Sequence, residues 1–228
     1  MGTVAKEVKS QAYDNAGRQA QSQETRQRII DAARQLMVER GYRAATIANI
    51  ARGAGVHIDT VYELVGRKPV LLRELIEQAL SGAQGVVVAE EREYVKVMQA
   101  EPDPARKLAI YARAVRQIQA RMAPLFMALR DASATEPEAR QVWREISDRR
   151  AANMRKLVRD LSATDGLRAG VSIDEAADMI WATNSAELYV LLTGERGWSP
   201  DHYERWLADT WCRLLLRSDP TSAPSRRA

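Results

Sequence analysis

The chain has 228 residues, 46% of them apolar and 28% charged, a balance that supports a folded core in one or two domains and excludes a disordered protein. A lone cysteine, Cys212, rules out an internal disulfide framework, and with only two histidines beside it neither a zinc site of the usual kind nor a cofactor is expected. The net charge of +4 fits an anionic partner, while the lack of any apolar run of about 18 residues or of a signal-peptide stretch points to a cytoplasmic protein without membrane contact.

Residues 1–22 are polar, rich in Gln, Ala and basic residues, and carry no apolar periodicity, which predicts a flexible N-terminal arm. From Glu24, Ile29, Ala33, Leu36 and Met37 recur at helical spacing until Gly41 stops the helix. The stretch Thr46 to Val65, TIANIARGAGVHIDTVYELV, then has the pattern of a helix-turn-helix: two short helices between Ile47 and Leu64 that cross closely at a tight turn. Ala51 sits where a larger side chain would hold the helices apart, and Gly55 sits in the turn, where a positive φ is easiest without a Cβ. Ile50, Ala54, Val56, Val61 and Leu64 take the remaining positions that such a unit must bury. The Thr46 hydroxyl is placed to cap the first helix, leaving Asn49 and Arg52 on the solvent side. A fourth helix is predicted from Arg67 to Leu80.

After Ser81-Gly82 a short apolar run and a charged stretch read as a loop with room for a short helix. Asp103-Pro104 caps and opens a helix carrying Leu108, Tyr111, Ala112, Val115 and Ile118, and Pro124 is expected to break or kink it, leaving Leu125, Phe126 and Leu129 on a following helix. Thr135 with Glu138 forms a capping-box pattern for the longest helix, about 26 residues and about 39 Å, through Val142, Trp143, Ile146, Met154, Leu157 and Leu161. A second box, Ser172 with Glu175, starts a helix through Ile180, Trp181, Leu188 and Leu191 that stops at Gly194. The last helix has Ser199 as cap, Pro200 at its first position and Trp198 placed to staple against Tyr203. With no alternating strand pattern and no internal repeat, the fold class is all-α with about nine or ten helices.

The stretch from Glu24 to Leu80 resembles the DNA-binding domain of the TetR (tetracycline-repressor-like) family of bacterial transcription regulators. The matches are Ile30, Ala33 and Leu36 of the first helix, Gly41-Tyr42, Thr46-Ile47, Ile50-Ala51, Ala54-Gly55-Val56, Thr60-Val61-Tyr62, and Lys68 with Leu71-Leu72; they cover about a quarter of the chain. The phrase ELYVLLTGERGWSPDHYERWLADTWCRLLL looks like the last two helices of many members. The chain departs from the family pattern at His57, where many members have Ser, and at Asp59, where Gly or Pro is common. Leu64-Val65 replace an aromatic pair or His-Phe, and Arg67 stands where Ser or Asn precedes Lys68. Asp59 puts a negative charge near phosphates, and the missing Phe removes a packing contact. Composition makes 1–22 a flexible arm and 218–228 a disordered tail, and between them the resemblance implies a helix-turn-helix DNA-binding domain at 23–68 and a helical ligand-binding and dimerisation domain at 69–217.

A recognition helix in the major groove needs short polar side chains at base edges and donors at phosphates. His57, Ile58, Asp59 and Thr60 occupy the exposed first turn of the second short helix, and the resemblance assigns Thr46, Tyr62 and Lys68, with Arg67 beside it, to phosphates. Asp59 either accepts a hydrogen bond from a cytosine amino group or only complements the positive end of its own helix. Charge follows the same direction modestly: residues 24–81 hold nine Lys and Arg against seven Asp and Glu, while 82–216 is near neutral. In the later helices Tyr111, Met122, Phe126, Met127, Trp143, Met154, Trp181 and Asn184 either line one cavity for a small hydrophobic or aromatic effector or fill a plain core. Leu188, Leu191, Leu192, Trp206, Leu207, Trp211, Leu214 and Leu215 exceed what one packing partner requires, and a four-helix homodimer interface would bury the surplus. An enzyme on a helical bundle is the competing class and finds little support, since no paired His-carboxylate motif, nucleophile signature or Gly-rich phosphate loop is present. The expectation is a non-enzymatic transcription regulator on double-stranded operator DNA, a repressor released by a small molecule, with an activator, a ligand-free regulator, a helix-turn-helix used for protein contacts or a helical-bundle enzyme as alternatives.

Overall fold

The computed structural model describes residues 3–82, 87–164 and 166–217, with side chains from residue 17 onward. Ten α-helices and no strand occur among the described residues: α1 (Thr3–Ala44), α2 (Ile47–Ala54), α3 (Ile58–Val65), α4 (Lys68–Ser81), α5 (Glu93–Ala100), α6 (Pro104–Ser133), α7 (Pro137–Ala163), α8 (Ile173–Thr183), α9 (Ala186–Tyr189) and α10 (Pro200–Leu215). A 3₁₀ turn at Ala89–Glu91 precedes α5, and α9 continues as a π-type turn over Val190–Glu195. No described helix is long and apolar enough to cross a membrane.

α6 is the central post, touching α1, α4, α5, α7, α9 and α10. Its C-terminal half, from Ile118 to Ala132, shares one core with Ile29, Ile30, Ala33 and Met37 of α1, Ile50 of α2, Val61 of α3 and Leu71, Leu72, Leu75 and Ile76 of α4. Its N-terminal half packs Leu108, Ala112 and Val115 against Leu157, Val158 and Leu161 of α7, Ile180 of α8 and Tyr203, Leu207 and Trp211 of α10. The helix-turn-helix is therefore built onto the same apolar mass that supports the later helices. α2 and α3 form at the predicted positions, except that Val65 is buried while Leu64 and Val56 are only partly covered.

Five sequence expectations are corrected. In place of an arm over residues 1–22, α1 begins at Thr3, because Ala, Gln, Lys, Glu and Arg are each good helix formers and extend a helix without an apolar face. The helical run does break where predicted, at Gly41 (φ 75°, ψ 170°). α6 runs through Pro124 as one helix: the hydrogen bond lost there belongs to the carbonyl of Ala120, and both residues are solvent-exposed, so that carbonyl is not left in an apolar core. The Thr135–Glu138 box does not form; Glu136 is the N-cap of α7 with Pro137 behind it, and both glutamates serve other partners. The helix from Ser172 ends at Thr183, since Ser185 caps a new start by accepting the Leu188 N–H at 3.2 Å. Trp198 stacks on His202 at 4.1 Å and meets Trp206 edge-on at 5.7 Å, while Tyr203 turns inward against Tyr189 at 5.1 Å, so the staple to Tyr203 is absent. The expected tail, 218–228, lies outside the described residues.

Candidate functional site

Two places in the fold collect the predicted functional residues. The first is the helix-turn-helix. Thr46 caps α2, its hydroxyl accepting the Asn49 N–H at 3.2 Å, and Gly55 closes it in the left-handed region (φ 66°, ψ 40°), a conformation in which a Cβ would be strained. That turn swings α3 so that its first residues face solvent. The side chains of His57 and Asp59 are each 80% exposed, with Nδ1 and Oδ2 3.2 Å apart, and Ile58 is 40% exposed. Tyr62 is 51% exposed, Thr46 is exposed and Thr60 is half-buried. The arrangement presents a short polar edge with one apolar side chain, and Asp59 lies in the first turn of α3, at its positive end.

The two cations that follow are held by the protein. Arg67, the N-cap of α4, pairs with Glu138 at 2.9 Å. The Lys68 ammonium donates to the Tyr42 carbonyl at 2.8 Å and lies 3.6 Å from the centre of the Tyr42 ring. Tyr42 in turn donates its hydroxyl to Glu136 at 2.7 Å; burial and that carboxylate together hold its phenol well above the ordinary value. Burial lowers the Lys68 pKa, with Glu136 acting in the opposite direction. The first turn of α7 thus supplies two carboxylates, Glu136 and Glu138, at the very residues expected to meet phosphates.

The second place is a cavity of about 670 Å³ between α4, α5, α6 and α7. Tyr111, Met122, Phe126, Met154 and Asn184 all line it, as one of the two sequence readings requires. Trp143 and Trp181 do not. On α7 the lining positions are Ile146, Arg149, Arg150, Asn153, Met154, Lys156, Leu157 and Asp160, largely one helical face, and Trp143 lies a turn before the first of them, packed into the α1–α6 core. Trp181 is separated from the cavity by the Arg150 guanidinium, which covers its ring at 4.4 Å. Met127 is core and not lining.

A polar cluster sits in the apolar wall. The Asn184 amide donates to the Tyr111 hydroxyl at 2.8 Å, and the Gln119 amide donates to the Asn184 carbonyl at 2.5 Å. Tyr111 stacks on Trp211 at 5.4 Å, and burial drives its phenol far above the ordinary value, so it stays neutral. Gln119, Arg149, Arg150 and Glu77 were missed by sequence reasoning. Their signal was present: Gln119 interrupts the apolar spacing Val115, Ile118, Met122, and Arg150 falls between Ile146 and Met154 on the buried face of α7, with Arg149 at its exposed edge. Among the described residues no group of three or more His, Cys, Asp or Glu is placed to hold a metal ion.

Of the residues expected at a dimer interface, Leu191 is 45% exposed and Leu188, Leu192, Trp206 and Leu214 are partly exposed. Trp211 is corrected: it is fully buried within the chain, with its indole N–H donating to the Thr183 hydroxyl at 2.7 Å, as are Leu207 and Leu215. The surplus apolar surface of α10 is thus smaller than its sequence implies, because α6 and α8 take one full stripe of it.

Residues 29–75 match the model of bacterial regulatory proteins of the tetR family. An HTH-type transcriptional regulator of Bacillus subtilis, YvkB, is 36% identical over 72 residues, which is 32% of this chain and 38% of that protein. The chain thus aligns with less than half the length of that curated relative. Among solved structures, NalD of Pseudomonas aeruginosa, the secondary repressor of the MexAB-OprM multidrug efflux pump, superposes with a TM-score of 0.68 at 22% identity, covering 86% of this chain and 98% of that one. The fatty acid degradation regulator FadR of Bacillus halodurans gives 0.67 at 20% identity over 82% of this chain and 94% of that one. A transcriptional regulator from Saccharomonospora viridis, solved in complex with choline, gives 0.66 at 21% identity over 86% and 100%. At these identities the likeness is one of fold, and it extends from the helix-turn-helix through the later helices.

Proposed function

We propose, for a chain that belongs by its N-terminal domain to the tetR family of bacterial regulatory proteins, a homodimeric DNA-binding transcription regulator that a small molecule releases from its operator. Residues 23–68 act as the DNA-binding unit and 69–217 as the sensing and dimerising unit. His57, Ile58, Asp59 and Thr60 read base edges, while Thr46, Tyr62, Arg67 and Lys68 hold the phosphate backbone. Leu188, Leu191, Leu192, Trp206 and Leu214 form the self-complementary surface between protomers.

The observation that carries this reading is that α4 joins both places. Lys68 at its start lies beside the recognition unit, and Glu77 and Leu80 near its end line the cavity. The separation from residue 68 to 77 is about 14 Å along one rigid helix. α7 runs beside it in parallel, tied by Arg67–Glu138, Arg73–Glu145 and Glu77–Arg149. A molecule filling the cavity therefore bears on the same two helices that position the phosphate contacts, and it shifts DNA affinity by the difference in its own affinity for the two arrangements. Selection of bound duplexes from random DNA, repeated across a set of small molecules, tests the proposal. An inverted repeat released by at least one cavity-binding compound is the expected outcome; failure to enrich any sequence at low salt refutes it.

A further inference from the structure

We infer that the cavity takes an amphipathic organic acid, an apolar body whose carboxylate is received by Arg150 and whose neighbouring hydroxyl or amide N–H donates to Gln119 and Asn184. This rests on the ligand-responsive reading above and adds the chemistry of the ligand. Arg150 lines the cavity, and its guanidinium donates to the Trp181 carbonyl at 2.7 Å while its Nε is buried with no hydrogen-bond partner. Among the described residues no carboxylate forms an ion pair with it, the Glu187 charge that it feels being paired with Arg130, unlike Arg149 next to it, which pairs with Glu77, and Lys156 along the same wall, which pairs with Glu90 at 2.8 Å. A desolvated guanidinium is costly without a counter-charge, and Arg is suited to receiving a planar carboxylate.

Two further atoms specify the rest of the head group. Gln119 is 2% exposed and Asn184 3%, both lining the cavity, and Gln119 Oε1 and Asn184 Oδ1 have no donor. The Gln119 orientation is fixed by its N–H bond to the Asn184 carbonyl, so its oxygen is the free end. Buried acceptors without donors call for a ligand O–H or N–H, which a simple fatty acid lacks and a hydroxy acid or N-acyl amino acid carries. Met122, Phe126, Val115 and Met98 supply the apolar surface for the body.

The test measures binding of 2-hydroxydodecanoate, dodecanoate, dodecanol and dodecyltrimethylammonium to the full chain by calorimetry, with Trp181 emission as a second signal because Arg150 covers its ring. The hydroxy acid should bind tightest. Arg150→Met should weaken both acids by about tenfold or more and leave dodecanol unchanged, and Gln119→Leu should remove the advantage of the hydroxy acid over dodecanoate. Arg150→Lys, which keeps the charge, should retain part of the acid preference, and the thermal unfolding of each unliganded variant separates lost binding from lost fold. If the ammonium or dodecanol binds as well as the acids, or if Arg150→Met leaves the acid preference intact, the assigned chemistry is overturned while the sensing cavity stands. If none of the four probes binds, and occupancy by no compound alters DNA affinity, both the chemistry and the sensing role fall.

Discussion

The ammonium of Lys68, the first residue of α4, donates to the Tyr42 carbonyl at 2.8 Å and rests 3.6 Å from the centre of that residue's ring. One of its three N–H donors is spent on the end of α1, and the others remain for an anion. The contact fixes where α4 begins relative to the helix-turn-helix, so in the proposed function Lys68 would serve fold and phosphate together. Lys68→Ala should lower duplex affinity alike for all sequences and flatten the dependence of log K on log salt by about one phosphate per protomer. It should also cost about 1–2 kcal/mol of stability through the lost hydrogen bond and cation–π contact. Anisotropy titrations between about 50 and 200 mM salt, alongside urea unfolding, check both; an unchanged affinity and slope removes Lys68 from the phosphate contacts.

Two copies of α3 related by a two-fold axis must read symmetric half-sites. His57 and Asp59 lie 3.2 Å apart with side chains largely exposed, so their pairing is weak and both are available to base edges. Replacing His57 or Asp59 by Ala should change base preference within each half-site, by about 1–3 kcal/mol at a contacted pair. Tyr62→Phe should instead lower affinity without changing preference. Sequencing of duplexes selected by each variant decides it: identical preference for His57→Ala, Asp59→Ala and the parent protein would exclude direct readout by that turn.

The helix-turn-helix was legible because its constraints are local. Ala51 at a close crossing, Gly55 at positive φ and Thr46 at a cap each admit few residue types, so the letters report the geometry. The cavity was only half legible. Tyr111, Met122, Phe126, Met154 and Asn184 lie on the right faces, but periodicity gives a face and not a height, which is why Trp143 fell a turn outside. Arg150 was invisible for a related reason. An arginine at a helical spacing usually marks the solvent side, and only the packing of α8 against α7 puts this one between Trp181 and the cavity. The Thr135 pattern failed where tertiary partners competed, Tyr42 engaging Glu136 and Arg67 engaging Glu138, and the Trp198 pattern failed to a local one, since Trp198 stacks on His202 four residues on.

The same distinction separates Trp211 from Leu191. Leu191 is 45% exposed on the π-type turn after α9 and Trp206 is partly exposed on α10, whereas Trp211 is sealed against Tyr111 and Thr183. Leu191→Glu with Trp206→Glu should give a folded monomer that binds operator poorly, since half-site binding loses the avidity of the pair. Trp211→Ala should cost about 3–5 kcal/mol and unfold the chain rather than dissociate it. Sedimentation together with circular dichroism distinguishes the two outcomes; a stable dimer in the double glutamate variant would place the interface elsewhere.

The ion pairs between α4 and α7 give the last prediction. Glu77 is 7% exposed and pairs with Arg149, and both line the cavity, while about three turns away on α7 Glu138 holds Arg67 at 2.9 Å beside the recognition unit. A ligand that enters the cavity meets the Glu77–Arg149 pair directly, and any change in how it holds α4 against α7 is passed along two stiff helices to Arg67 and Lys68. Glu77→Gln keeps the shape and removes the charge, so a cavity-binding compound should still bind while its effect on DNA affinity shrinks. In the parent protein that effect should be about 5- to 150-fold, equivalent to roughly 1–3 kcal/mol, and operator DNA must weaken compound binding by the same factor. Arg67→Ala, which cuts the other end of the link, should reduce the coupling too, and should in addition lower DNA affinity in the absence of the compound. Calorimetric titration of the compound with and without operator measures the factor in each protein. Full coupling in Glu77→Gln would show that the signal reaches the recognition helices by another route, through α6 and the core it shares with α1.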